Sequence, residues 1–125
     1  MKIKIISIRE QEVEFISKYG VATGIWKDRI KPEQKEYYVE IDVKDRISFD
    51  KIEINHQEEL IIKSVTGGIL ISGLLKEYDT DGCATLKFED TLVEVETNFD
   101  KGFMSICGSY ISFVVSDIQV YDEHI

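Results

Sequence analysis

The sequence predicts a mainly β chain, a single antiparallel β-barrel or sandwich of about 7–9 strands, with one short N-terminal helix. Three observations lead there. From Glu36 onward, apolar and polar residues alternate, the period of a strand with one wet face. Clusters of Gly, Asn and Asp interrupt that alternation roughly every ten residues, the spacing of turns in all-β folds. The chain has 125 residues, the size of one domain (1–125), and such a chain buries about two thirds of its unfolded surface without metal or disulfide staples.

Residues 2–7 form the first expected strand. Ser7-Ile8-Arg9-Glu10 then has the Ser-x-x-Glu form of a capping box, Val13, Ile16 and Tyr19 recur at helical spacing, and Gly20 stands where a helix would end. A helix over residues 8–19 is expected, with a strand through Val13 and Phe15 as its rival. The only proline, Pro32, lies in the charged segment 27–35, the longest polar loop. Tyr37, Val39, Ile41 and Val43 alternate with Tyr38, Glu40 and Asp42, a strand. The phase slips at Asp50-Lys51, which implies a bulge or tight turn. Residues 55–58 form a turn and 60–65 a strand.

Ile69 to Leu75 is apolar on both faces, so it belongs at the centre of the fold. Asp79-Thr80-Asp81-Gly82 invites comparison with a calcium loop, but such a loop needs oxygen ligands at positions one, three and five and a Glu at twelve. Position five here is Cys83 and position twelve is Asp90. An Asp-Gly hairpin turn between strands is the better reading. Strands follow at 84–88, 92–96, 110–115 and 118–121, with a turn cluster at 98–102.

No pattern for catalysis or cofactor binding emerges. Gly-x-Ser-x-Gly, the P-loop and the dinucleotide glycine fingerprint are absent. Cys107-Gly108-Ser109 has no evident base to activate a thiol, and His56 with Glu58 and Glu59 is a solvated turn rather than a ligand set. His124 lies near the end of the sequence, where chains fray. Neither a catalytic residue, a metal nor a cofactor is expected. Cys83 and Cys107 lack Cys-x-x-Cys spacing and read as two reduced, buried small hydrophobes. No apolar run is long enough for a membrane span and no signal-peptide core is visible, so a cytoplasmic location is expected.

Charge is the most informative property. The net charge is -9, and residues 63–125, with 11 acids and four bases, hold most of it. Between positions 77 and 100 eight acids face the single base Lys87. Such a chain repels phosphate backbones, so direct nucleic-acid binding is not expected. A one-sided acidic face is instead suited to a basic protein, such as a nuclease or toxin domain, whose encounter it would steer. The expected contact residues are Asp79, Asp81, Glu89, Asp90, Glu94 and Glu96, with Tyr78 as an aromatic anchor. The leading expectation is a non-catalytic inhibitor of the immunity, antitoxin or phage anti-defence type. The alternatives are a barrel over residues 60–121 that binds a small molecule or carbohydrate, and a structural component of a larger assembly. No oligomeric state is implied.

Overall fold

Val13 and Phe15 decide the N-terminal architecture. In the computed structural model, which describes residues 1–28 and 31–124, both side chains are completely buried, while Glu12 is exposed and Ile16 points outward. The chain there is a hairpin of β1 (Lys2–Arg9) and β2 (Glu12–Ser17), turning at Glu10 with φ +57°. The expected helix over 8–19 is therefore corrected to strand. A helix would have put Val13, Ile16 and Tyr19 on one face and left Phe15 off it. The strand buries Val13 and Phe15 together, each worth about 1.5–3 kcal/mol of apolar transfer. Ser7, read as a helix cap, instead stands opposite Glu14 just after a bulge in β1.

The hairpin continues into β3 (Gly20–Trp26), and β4 (Glu36–Asp42) returns antiparallel against β1 through Ile3↔Tyr37. Residues 29 and 30 of the polar loop between them lie outside the described residues. The last strand, β11 (Gln119–Asp122), enters between β3 and β4, parallel to the first and antiparallel to the second. This closes a five-stranded barrel in the order β1-β2-β3-β11-β4. Its interior is filled by Ile3, Val13, Phe15, Ala22, Val39 and Val120, each at most 1% exposed.

Between β4 and β11 the chain builds a second sheet. It comprises β5 (Glu53–Ile54), β6 (Ile61–Val65), β7 (Gly68–Tyr78), β8 (Cys83–Lys87), β9 (Leu92–Glu96) and β10 (Tyr110–Val115). Its central strand is β7, as the two-sided apolar run predicts. One edge of β7 pairs with β10; the other pairs with β6 over Gly68–Ser72 and with β8 over Leu74–Tyr78. The β7–β8 turn is the expected Asp-Gly hairpin: Gly82 sits at φ +85°, a conformation open to glycine. Asp79 builds the turn, its Oδ1 accepting from the amides of Asp81 at 3.0 Å and Cys83 at 2.9 Å.

The expectation of one barrel or sandwich of about 7–9 strands is thus corrected to a five-stranded barrel plus a six-stranded sheet. The barrel is not made by residues 60–121, and the strand expected at 118–121 closes the barrel from the other half of the chain. The phase slip at Asp50-Lys51 is a 3-10 turn, Phe49–Lys51. Beyond the turn cluster, α1 (Lys101–Ser105) is capped by Asp100, whose Oδ1 accepts from Gly102 N at 2.8 Å. Phe103 of α1 packs between Phe49 and Tyr78, with ring centroids 5.0 and 4.8 Å away.

A single hydrophobic cluster runs through both sheets. At one end Tyr19 O accepts from Ile62 N at 3.0 Å, Lys18 pairs with Glu89 at 3.0 Å, and the Tyr19 hydroxyl donates to Asp90. At the other end Ile47 bridges Thr97 in parallel. Ser72, fully buried on β7, accepts from Asn55 Nδ2 at 2.8 Å and Ser112 Oγ at 2.9 Å, and donates to Glu59 O at 2.8 Å.

Candidate functional site

Strict alternation in β9 sets the geometry. Val93 and Val95 point into the core, so Leu92, Glu94 and Glu96 must point out. Antiparallel pairing with β8 places Glu94 opposite Thr85 and Glu96 opposite Cys83. On the barrel side, β4 buries Val39 and Ile41 and turns Glu40 outward, with Asp42 half-buried. Because β4 and β9 lie side by side, these two polar faces border one trough.

The trough consists of two adjoining depressions of about 330 and 590 Å³ that share Asp42 and Glu94. Its acids are Glu40, Asp42, Asp81, Glu94 and Glu96; its bases are Lys44 and Arg46. Lys44 pairs with Asp42 at 2.7 Å, and Arg46 pairs with Glu96 at 3.1 Å while donating to Thr97 O at 3.2 Å. Both cations are engaged internally. Glu40, Asp81 and Glu94 have no ion pair among the described residues. Cys83 sits on the floor beside Glu94 and Glu96, and its thiol is pushed above the ordinary value by burial first and by the surrounding carboxylates second.

The seven expected contact residues divide into three groups. Asp81, Glu94 and Glu96 meet in the trough. Tyr78 and Asp79 serve the hairpin and its surroundings: the half-buried Tyr78 ring stacks on Phe103, and its hydroxyl lies 2.6 Å from Thr97 Oγ1. Glu89 and Asp90 lie at the opposite end of β8 and β9 and hold the barrel through Lys18 and Tyr19. The sequence reading missed Glu40 and Asp42. Their outward phase on β4 was visible, but nothing local indicates that β9 would be their neighbour.

Two further expectations are corrected. Cys107 is exposed rather than buried, and Cys83 is half-buried; both are free thiols. His124, expected to fray, instead has local partners. Its amide donates to Asp122 Oδ1 at 2.8 Å, and its ring stands 3.6 Å from carboxylate oxygens of both Asp28 and Asp122. These residues border a cavity of about 510 Å³ at the barrel mouth, together with Trp26, Tyr37, Lys31 and Glu33. No family model, curated protein or solved structure matches the chain.

Proposed function

We propose that this chain is a non-catalytic inhibitor of the immunity, antitoxin or anti-defence type, which docks its acidic trough on a basic protein such as a nuclease and excludes that protein's substrate. The observation that carries this reading is the convergence of five carboxylates on the trough, from two strands and a hairpin turn far apart in sequence, with both local cations already paired. Glu40, Asp81 and Glu94 are left to meet lysine or arginine from outside, and a cluster of like charges favours an incoming cation. Among the described residues the trough presents no histidine, and burial together with the nearby carboxylates raises the Cys83 pKa and disfavours its thiolate.

The test is affinity capture from lysate of the encoding cell at low and moderate salt, run in parallel with the immobilised Glu94→Lys variant. Glu94 is exposed and has no ion pair among the described residues, so the substitution should leave the fold intact, as circular dichroism would verify. A basic protein retained by the wild-type chain, released by salt and not retained by Glu94→Lys supports the reading. Equal retention by both chains refutes it.

A second reading, a module binding a small molecule or carbohydrate, is favoured by a different observation. The barrel interior is filled, but the cavity at its mouth has a ligand-sized volume, about 510 Å³, and an aromatic wall of Trp26 and Tyr37 in edge-on contact at 5.1 Å. A glycan array or fragment screen followed through Trp26 fluorescence separates it from the first.

A further inference from the structure

We propose that Asp28, Asp122 and His124 form a binding site for a divalent transition-metal ion. β3 and β11 run parallel and adjacent, with Val120 paired to Trp26. The two strands therefore deliver the residues just beyond that pair, Asp28 and Asp122, to the same mouth of the barrel. His124 follows two positions later with φ +57°, which turns the chain back toward Asp28.

The hydrogen bonds leave one oxygen of each carboxylate available for a ligand. Asp28 Oδ2 accepts from Asp122 N, and Asp122 Oδ1 accepts from His124 N. The remaining oxygens, Asp28 Oδ1 and Asp122 Oδ2, each face the imidazole at 3.6 Å. That distance is too long for a hydrogen bond. One oxygen from each aspartate and one ring nitrogen lie within 4.8 Å of one another. An ion bonded to each donor at about 2.0–2.2 Å bridges separations of up to roughly 4 Å, so a small inward movement completes the set.

The chemistry of the donors narrows the ion. Two carboxylates and one imidazole suit Zn²⁺, Mn²⁺, Co²⁺ or Ni²⁺, whereas Ca²⁺ takes six to eight oxygens and no imidazole. The two carboxylates are about one-fifth exposed, at 23% and 20%, and neither pairs with a lysine or arginine among the described residues. A bound cation would relieve their mutual repulsion. The His124 side chain is 71% exposed and the cavity lies alongside, so the remaining coordination positions are open to water or to a donor from a bound molecule. This site is independent of the acidic trough.

Trp26 is the only tryptophan in the chain and lines the same cavity, which makes it a local reporter. The experiment titrates chelator-treated protein with Ni²⁺, following Trp26 fluorescence, and with Zn²⁺ by calorimetry. One equivalent should bind, with saturable quenching by Ni²⁺. Asp28→Asn, which keeps the oxygen that accepts from Asp122 N, and His124→Ala should each weaken binding by more than about tenfold. His56→Ala, altered on a distant turn, should leave the binding curve unchanged. Absence of one-equivalent binding overturns the proposal, as does binding that survives both site variants or is abolished by His56→Ala.

Discussion

The Tyr19 hydroxyl donates to the Asp90 carboxylate across 71 positions of sequence, and accepts from the Asp90 amide at 3.4 Å. Beside it Lys18 pairs with Glu89. Two adjacent residues of the β2–β3 turn thus hold two adjacent residues of the β8–β9 turn, and the barrel is fastened to the second sheet. The Tyr19 ring, 5% exposed and 5.1 Å from Phe88, anchors the contact in the core. Two of the acids expected to face a partner are in this way committed to the fold.

Replacing Tyr19 with Phe keeps the ring and removes the hydroxyl. Hydrogen bonds to charged groups contribute about 1.5–3 kcal/mol, and the exposure of Asp90 to water places this one near the lower end. Urea denaturation at neutral pH should show Tyr19→Phe less stable by about 1–2 kcal/mol with an unchanged slope. No loss would mean that the two turns are held by apolar contacts alone.

The same pair predicts a pH window. Burial raises the Asp90 carboxyl, but the Tyr19 hydroxyl, the α-amino group, the Lys2 amide and Lys18 outweigh it and bring the value below the ordinary 3.8. Its contribution is present above that ordinary value and is lost as pH falls through the lower folded one. Tyr19 is shifted the other way, upward from 10.0, by burial first and then by its bond to Asp90. Its contribution is present below pH 10.0 and fades as pH rises above it. The stability gap between wild type and Tyr19→Phe should therefore be widest from about pH 5 to 9 and should narrow at both extremes.

Ser72 offers a different kind of test. Ser72→Ala strands Asn55 Nδ2, Ser112 Oγ and Glu59 O, all of which converge on one buried hydroxyl. Unsatisfied buried polar groups cost about 1–3 kcal/mol. Ser112→Ala removes only one of these bonds from a partly exposed position, and thermal unfolding should rank it clearly above Ser72→Ala.

Gly68 opens β7 at φ +150°, and a Cβ placed there would stand 2.0 Å from Val115 O, a backbone atom that cannot swing away. Gly68→Ala should cost about 3 kcal/mol or more, by forcing β10 off β7. Soluble expression with a wild-type denaturant midpoint would show that the two strands separate more easily than their pairing implies.

The two thiols should react at different rates. Cys107 is exposed, whereas Cys83 is half-buried among Glu94, Asp79 and Glu96, which with burial raise its pKa. Because the thiolate is the nucleophile, maleimide at pH 7 should label Cys107 first, with Cys83 slower by about tenfold or more. Peptide mass spectrometry after timed quenching gives the order.

What could be read from the sequence follows from how local each signal is. The two-sided apolar run Ile69 to Leu75 and the Asp79–Gly82 turn are consequences of neighbouring residues, and both stand as expected. Residues 12–17 carry period-two and helical patterns at once; the choice was made by pairing with β1 and β3, which no short window contains. The trough lay further out of reach. Glu94 and Glu96 were legible as one face of a strand, but their meeting with Glu40 and Asp42 depends on how the barrel lies against the sheet. Asp28 and Asp122 are brought together by parallel pairing between β3 and β11, whose contacts join distant parts of the chain.

The placement of the second sheet between two neighbouring barrel strands imposes a timetable. During synthesis β1 to β4 emerge as an open four-stranded ribbon whose closing strand is not yet synthesised; 76 residues, 43–118, separate β4 from β11. At ribosomal speeds of about 5–20 residues per second, that interval lasts roughly 4 to 15 s. Throughout it Val39 and Phe15 have no β11 to shield them, and the free edges of β3 and β4 are exposed to any other nascent strand. Slower translation of residues 43–118 should lengthen the exposure and lower the yield of folded protein.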